Sequence, residues 1–206
     1  MISQLLRRRT YYEKWRLCLK VRWLGNACLE VFGEKHFLID PNFLVNVKKF
    51  LEFILITHEH ADHYSPEKCA KILPKTTVYA PRTTLDKFGI EGVAVKTGDK
   101  IDGIEVLESD CWGSEESVSY FYKGLLHSGD SAKFPEIDGV KLVFTACFLD
   151  YYEDYMRAFK RLRPDLVIPF HYDVQKSPDN AVGLKQMCKE RGINCRLLKV
   201  GEYIEI

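Results

Sequence analysis

The sequence has no apolar run long enough to cross a membrane, and its first twenty residues lack the continuous apolar core of a signal peptide. It has no internal repeat, no low-complexity stretch and no Gly/Ser-rich linker. Its seven cysteines include no Cys-x-x-Cys pair, and their number is odd. We therefore expect a cytoplasmic protein with reduced thiols and no membrane partner, and we do not expect a zinc finger.

The chain also lacks a strong net charge. Its 206 residues have a formal net charge of +1 at pH 7, which gives no global field to attract nucleic acid or an acidic membrane. The exception is a basic N-terminal segment, residues 1–18, which we interpret as a solvated extension, with a phosphate-binding arm as the alternative. Its charged residues are Arg7, Arg8, Arg9, Glu13, Lys14 and Arg16. The length suits one domain spanning residues 1–206.

Histidine is scarce, with six in the chain, yet three of them lie together directly after a short apolar run, in the segment His58-Glu-His60-Ala-Asp62-His63. Imidazole and carboxylate are ligands that borderline-soft divalent metals accept. Four ligands on one short loop suit two adjacent ions better than one. The start of a helix does not explain them, because the next helix has its own N-cap at Ser65.

The pattern of apolar residues predicts a first series of strands, followed by strands that alternate with helices. The predicted strands are Leu19 to Leu24, Ala27 to Phe32, Lys35 to Ile39, Phe53 to Thr57, Thr77 to Ala80, Gly92 to Lys96, Ile104 to Leu107, Ser117 to Tyr122, Leu125 to Ser128, Leu142 to Ala146, Leu166 to Pro169 and Cys195 to Val200. The predicted helices are Pro66 to Leu73, Thr83 to Phe88, Glu153 to Leu162 and Pro178 to Arg191. This order predicts an α/β fold, a four-layer αβ/βα sandwich.

Candidate ligands fall at the ends of separate predicted strands. His58 follows Phe53 to Thr57, Asp130 follows Leu125 to Ser128, and His171 follows the strand that ends at Pro169. Ligands from distant strands can therefore meet along one edge of the sandwich.

Together these segments resemble the metallo-β-lactamase superfamily. The similar segments are His58-x-His60-x-Asp62-His63, Leu38-Ile-Asp40-Pro41, Ser128-Gly129-Asp130 and Ile168-Pro-Phe-His171-Tyr172. The likeness runs from about Val21 to Lys176 and is closest to the small metal-dependent hydrolase branch related to ascorbate-6-phosphate lactonase. Asn26 occupies the position where that branch has a histidine. We interpret this difference as a change at the rim of the metal site.

The resemblance implies a set of metal ligands. They are His58 and His60 in site one, Asp62, His63 and His171 in site two, and Asp130 as the bridge between them. It also implies that Asp40 orients a ligand histidine from behind.

The resemblance further implies a hydrolase that acts on a small ester, lactone or phosphodiester through a metal-bound hydroxide, which Asp62 would orient. Zinc is the expected metal, as one or two ions, with manganese or iron as alternatives. His60 stands where di-iron flavoprotein relatives have Glu, which favours hydrolysis over oxygen reduction.

The chain departs from the family where a third site-one ligand, usually a histidine, is expected. No histidine occurs at positions 64–126. In the matching window Asp110, Cys111 and Glu115 can each bind a metal, and zinc strongly favours a thiolate. Either one of them replaces the histidine, or site one stays open with two ligands. The turn residues Trp112-Gly113 favour the open site.

Two other functions remain open. The missing histidine and Asn26 suggest a non-catalytic metal-binding or scaffold protein of the same fold. The basic N-terminus suggests a nuclease-like role, although we expect a small-molecule substrate and no nucleic-acid partner. Of the remaining histidines, we expect His127 to be buried and structural and His36 to be exposed, and we expect Tyr172 to be packed.

Overall fold

The computed structural model describes residues 19–174 and 178–206. Within these residues, thirteen strands form two mixed sheets, one of seven strands and one of six. The basic segment, residues 1–18, lies outside the described residues. None of the described helices is both long enough and apolar enough to span a bilayer.

The first sheet joins an antiparallel part to a parallel part. Its strands are β1 Lys20–Trp23, β2 Leu29–Phe32, β3 His36–Ile39, β4 Phe53–Leu55, β5 Thr77–Ala80, β6 Val93–Ala94 and β13 Tyr203–Glu205. They lie in the order β13-β1-β2-β3-β4-β5-β6. β13 and β1 to β3 pair antiparallel, whereas β3 to β6 run parallel.

The second sheet has the same mixture. Its strands are β7 Lys100–Ile101, β8 Ile104–Glu108, β9 Val118–Tyr122, β10 Leu125–His127, β11 Leu142–Thr145 and β12 Leu166–Pro169. They lie in the order β12-β11-β10-β9-β8-β7. β10 to β12 run parallel and the other pairs are antiparallel.

Helices cover the outer faces. They are α1 Pro66–Cys69, α2 Arg82–Phe88, α3 Tyr152–Leu162 and α4 Asp179–Glu190. α1 begins as predicted, because the Ser65 hydroxyl accepts a hydrogen bond from the Lys68 N–H at 3.4 Å. The predicted extension of α1 to Leu73 is wrong. Pro74 has no N–H to donate and restricts the residue before it, and Leu73–Lys75 form a 3₁₀ turn instead.

Three apolar clusters define four layers. The central cluster lies between the two sheets and includes Trp23 and Phe37 from the first and Phe144 from the second. A second cluster joins the outer face of the second sheet to α3 and α4, for example through Phe159. A third joins the first sheet to α1 and α2, for example through Leu85. The predicted αβ/βα sandwich is confirmed, whereas a single domain over the whole chain stays a prediction.

One prediction near the end of the chain is wrong, and one strand there was not predicted. The expected strand from Cys195 to Val200 is reduced to one isolated bridge between Cys195 and Val167. The true edge strand is β13, which pairs with β1. β13 has three residues and only Ile204 among them is buried, so it gives too short an alternation to be recognised. The two-residue strand β7 escaped prediction for the same reason.

Candidate metal centre

The candidate ligands lie where strands β4, β10 and β12 end. His58 is three residues beyond β4, Asp130 is three beyond β10, and His171 is two beyond β12. β4 belongs to the first sheet, and β10 and β12 belong to the second. Packing the two sheets together therefore brings these three segments to one edge of the sandwich.

A first group of ligand atoms comes from His58, His60, Cys111 and Asp130, all within 4.8 Å of one another. His58 Nε2 and His60 Nδ1 are 3.1 Å apart. Cys111 Sγ lies 3.8 Å from His60 Nδ1, and Asp130 Oδ2 lies 3.9 Å from His58 Nε2. This group contains both histidines predicted for site one.

A second group comes from Asp62, His63, Asp130 and His171, again with all ligand atoms within 4.8 Å. Asp62 Oδ2 is 2.9 Å from His171 Nε2. The two Asp130 oxygens lie 3.1 Å from His63 Nε2 and 3.2 Å from His171 Nε2. Asp130 is thus common to both groups, which is the position expected of a bridging ligand.

Both groups fit divalent ions. A tetrahedral ion with bonds of ~2.0–2.1 Å to nitrogen and ~2.3 Å to sulfur separates its ligand atoms by roughly 3.3–3.6 Å, close to the distances in the first group. In the second group, His63 Nε2 and Asp130 Oδ1 are buried and have no hydrogen-bond partner among the described residues. They are 3.1 Å apart but not in hydrogen-bond geometry, as expected for two atoms that would share an ion.

Thr57 and Asp40 determine which nitrogen of two rings faces the centre. Asp40 Oδ2 accepts hydrogen bonds from His63 Nδ1 and Thr57 Oγ1, each at 2.8 Å. Thr57 Oγ1 lies 2.9 Å from His58 Nδ1 and can accept its proton. Both rings therefore point Nε2 at the ligand groups, as metal-binding histidines do. Burial lowers the pKa of His58 to about 3, so this ring is neutral.

Asp40 is ionised although it is fully buried. Burial alone would raise its pKa, but the positive charge and hydrogen bond of His63 hold the pKa below its ordinary value. Between Asp40 and Asp130, the pKa of His63 is well above the usual value, despite burial that opposes the charged ring.

Three residues at the centre have left-handed backbone conformations: Asn26 with φ 48°, Asp40 with φ 50° and His171 with φ 60°. This region costs a residue with a side chain ~1–2 kcal/mol, so tertiary contacts must hold it. The Asn26 carbonyl accepts hydrogen bonds from the His171 N–H at 3.1 Å and from Trp23 Nε1 at 2.9 Å. Asn26 therefore supports the backbone of a candidate ligand, a role that its interpretation as a rim residue missed.

A family model described as "Beta-lactamase superfamily domain" matches residues 20–171, well over half of the chain. The chain belongs to the metallo-β-lactamase superfamily. Its predicted membership is confirmed, whereas the closer relation to ascorbate-6-phosphate lactonase stays a prediction.

Relatives of this superfamily member match it along most of their length. A UPF0173 metal-dependent hydrolase from Pyrococcus abyssi is 26% identical, and the alignment covers 91% of this chain and 100% of the relative. Among solved structures, Igni18, a metallo hydrolase from Ignicoccus hospitalis, is 20% identical with a TM-score of 0.72, over 92% and 98% of the two chains. CmlA, a diiron β-hydroxylase from Streptomyces venezuelae, is 16% identical with a TM-score of 0.65, over 92% and 53%. These two structures support the fold alone.

The loop at the position of the family's third site-one ligand turns at Trp112-Gly113, as predicted. The turn directs Cys111 toward His60, with its Sγ 3.8 Å from His60 Nδ1. Neither of the two ligand groups found among the described residues contains Asp110 or Glu115. Of the three candidates for the missing ligand, the structure thus brings only Cys111 to the centre. Burial raises the pKa of its thiol to about 12.

Glu59, inside the metallo-β-lactamase signature, holds this loop. Its carboxylate is 5% exposed and accepts hydrogen bonds from Ser114 Oγ at 2.8 Å and the Glu115 N–H at 2.6 Å. A backbone bridge joins His58 to Ser117 at the far end of the loop. The signature and the Cys111 loop are therefore packed as one unit.

A cavity of about 1250 Å³ opens over both groups in this superfamily member. Aromatic and charged side chains line its wall beyond the candidate ligands, including Trp112, Lys133, Phe134, Phe148, Asp150, Tyr151, Asp154, Arg157 and Arg161. Trp112 is 85% exposed. The cavity thus reaches five of the seven candidate ligands, namely His60, Asp62, Cys111, Asp130 and His171.

The remaining histidines are structural. His127 is buried, as expected. Its Nε2 donates to the Ala27 carbonyl at 2.9 Å, and its Nδ1 accepts from the backbone N–H two residues later. The prediction that His36 is exposed is wrong. Its ring stacks on Phe32 with centroids 4.5 Å apart and lies 3.1 Å from Glu30 Oε1, because a buried carboxylate needs polar partners.

Sequence reasoning missed three residues of the site: Thr57, Glu59 and the supporting role of Asn26. Thr57 gave a weak signal, since it is a hydroxyl residue at the end of an apolar run beside His58. Glu59 gave none, because its partners are 55 and 56 residues away in the chain. Tyr172 is packed as expected, with its ring 5.3 Å from that of Trp23.

Proposed function

We propose that this chain is a hydrolase that cleaves a small ester, lactone or phosphodiester at a centre of one or two metal ions. The observation that supports this most is the position of Asp130, whose carboxylate belongs to both groups of ligand atoms. The proposed ligands are His58 and His60 in site one, Asp62, His63 and His171 in site two, and Asp130 between them. The names of the UPF0173 relatives agree with a metal-dependent hydrolase.

When bound, divalent ions would polarise the substrate oxygen and lower the pKa of a coordinated water to ~7. The protein supplies the remaining parts. Asp40 and Thr57 keep two histidine rings in the orientation needed for binding. Phe148 packs edge-on against His171, with centroids 5.1 Å apart, and closes one side of that ring to water.

Asp62 is the proposed proton acceptor and orients the attacking water. Asp62 Oδ2 lies 2.9 Å from His171 Nε2, within the second ligand group. Its side chain is about half exposed and lines the cavity. Asn42 Nδ2 donates to the Asp62 backbone carbonyl at 3.0 Å, which holds the loop in place.

The cavity supports a small-molecule substrate with an anionic group. Its volume of about 1250 Å³ is somewhat above that of typical small-molecule sites, roughly 300–1,000 Å³. Lys133, Arg157 and Arg161 line the wall together with Asp150 and Asp154. Arg157 is ion-paired with Asp154 and Arg161 with Glu136, so Lys133 is the cation we propose to attract a phosphate or carboxylate. We therefore favour a phosphorylated lactone or a phosphodiester, in agreement with the branch that the sequence resembles.

Zinc is the proposed metal because both groups are rich in imidazole, with manganese and iron as alternatives. We also propose a cytoplasmic location. Among the described residues, all six cysteines are free thiols, which agrees with a reducing compartment.

The test measures metal content per chain together with turnover of generic phosphodiester and lactone substrates. The double variant His60→Ala/His171→Ala should lose its metal and its activity, whereas His36→Gln, which removes a histidine away from the centre, should keep both. Asp62→Asn should abolish hydrolysis with little loss of stability. Unchanged metal content in the double variant would refute the ligand set. Bound metal without turnover of any substrate would instead favour the non-catalytic alternative.

A further inference from the structure

We propose that Cys111 binds the site-one ion as a thiolate, so that the two halves of the centre differ in chemical softness and prefer different ions. This inference rests on the proposed metal centre and deepens it. It assigns a sulfur ligand to the position where the superfamily usually has an imidazole.

The position of the sulfur supports the assignment. Cys111 Sγ is 3.8 Å from His60 Nδ1, near the separation of roughly 3.6 Å expected for sulfur and nitrogen on one tetrahedral ion. His60 Nδ1 also lies 3.1 Å from His58 Nε2. The other hydrogen-bond contact of this sulfur is a long one, 3.7 Å to the neighbouring carbonyl of Trp112. The thiol therefore has no strong partner that an ion would have to displace.

The loop that bears Cys111 is built to hold it there. The Cys111 N–H donates to Ser117 Oγ at 3.2 Å, and Glu59 anchors the middle of the loop through two hydrogen bonds. Gly113 has φ +79°, and a Cβ at this position would lie 3.8 Å from His60 Nε2. The turn thus runs directly against the ring of a candidate ligand.

Three other cysteines in the described residues have ordinary structural roles. Cys28, Cys69 and Cys147 are buried in apolar clusters. Cys69 Sγ donates to the Pro41 carbonyl and Cys147 Sγ to the Phe170 carbonyl, each at 3.3 Å. Among the described cysteines, only Cys111 lies within a ligand group.

With Cys111 included, the two groups become equivalent in composition. Each then contains two histidines, one anionic side chain of its own and a share of Asp130; the anionic side chain is Cys111 in the first group and Asp62 in the second. They differ in ligand type, because sulfur is soft and carboxylate oxygen is hard. The first group should therefore prefer zinc, cobalt or cadmium, and the second should also accept manganese.

Cobalt(II) titration of the full chain tests this directly, since a cobalt–thiolate bond gives an intense charge-transfer band in the near ultraviolet. We expect this band in the wild type with two cobalt ions per chain. It should vanish in Cys111→Ser and in Cys111→His, with one ion left in the serine variant and two in the histidine variant. Cys195→Ser, the matched control, should keep both the band and the ions. Manganese should bind at one equivalent in the wild type.

Three results would overturn the inference in distinguishable ways. Two bound cobalt ions without the band in the wild type would exclude a sulfur ligand and leave the proposed centre intact. A band that persists in Cys111→His would assign it to another thiol. No bound cobalt in the wild type would refute the centre itself. Circular dichroism identifies a variant that fails to fold, and the histidine variant then replaces the serine variant.

Discussion

The two sheets supply ligands to the centre in different ways. The first sheet supplies four, His58, His60, Asp62 and His63, from one loop after β4. The second sheet supplies single residues from three separate loops, Cys111, Asp130 and His171.

The ways in which these ligands are held also differ. Rings from the first sheet are held from behind by a buried network of Asp40 and Thr57 in the same sheet. Two of the loops from the second sheet are held by contacts with the first sheet, through Glu59 and the Asn26 carbonyl. The ligands from the first sheet are thus positioned by contacts within that sheet, whereas the ligands from the second sheet depend on packing of the two sheets. This difference predicts which substitutions damage both ion sites and which damage one.

The largest effect should come from Asp130, the residue that joins the two ion sites. Asp130→Ala removes the carboxylate that both groups share and that lies 3.1–3.9 Å from His58, His63 and His171. We expect loss of both ions and hydrolysis below detection, because the bridging ligand stabilises each ion. Metal analysis and turnover check this, with the exposed Asp138→Ala as the control. One tightly bound ion in Asp130→Ala would show that the two ion sites are independent.

Removing Asp40, which supports the histidine ligands of the first sheet, should have the next largest effect. Asp40→Ala leaves the Thr57 N–H, which donates to Asp40 Oδ1 at 2.7 Å, and His63 Nδ1 without their acceptor. We expect metal affinity to fall ~10–100-fold and the free energy of unfolding to fall by about 1–3 kcal/mol. Zinc competition titrations and urea unfolding measure the two losses. A variant with wild-type affinity would refute the orienting role of Asp40.

A smaller and one-sided effect should follow from loosening the Cys111 loop. Glu59→Ala removes the acceptor of Ser114 Oγ and the Glu115 N–H, and we expect it to cost about 1 kcal/mol of stability. The affinity of the first ion site should fall while the second stays within about twofold. Cobalt spectra resolve the two sites, and the exposed Glu91→Ala serves as the control. Equal weakening of both sites would mean that Glu59 does not act through this loop.

The smallest effect should come from Asn26, which supports His171 through its backbone carbonyl rather than its side chain. Asn26→Gly keeps the carbonyl and suits φ 48°, so metal affinity should change by less than about threefold. Asn26→Ala should lower the free energy of unfolding by ~1–2 kcal/mol, because alanine is strained in this conformation. Thermal unfolding and metal titration of the pair separate strain from ligand positioning. Loss of metal in Asn26→Gly would show that the side chain itself is needed.

The same difference explains how much the sequence could predict. The ligands from the first sheet can be predicted from the sequence, because these four ligand-type residues lie close together in the chain and follow an apolar strand. Asp130 and His171 were found through likeness to a family and their positions at strand ends. The choice between Asp110 and Cys111 could not be made, because it depends on how a turn at Trp112-Gly113 is oriented against His60.

Fold and contact predictions failed where the determining interaction is distant or the element is short. The four layers followed from alternating runs, but β13 has three residues and owes its place to pairing with β1. His36 is predicted to be exposed because it lies beside the turn between two predicted strands, and local patterning does not show that the buried Glu30 draws its ring inward. Both errors come from tertiary partners that local patterning does not reveal.

The left-handed backbone of Asn26, Asp40 and His171 has a consequence for protein engineering. A graft of the loop from His58 to His63 onto another scaffold would transfer four ligand side chains but none of these three residues. These conformations depend on contacts between distant segments, such as the hydrogen bond from the His171 N–H to the Asn26 carbonyl, which the graft would lack. The centre is therefore not a portable motif. A design that reproduces its geometry must include the region of contact between the two sheets as well as the loop.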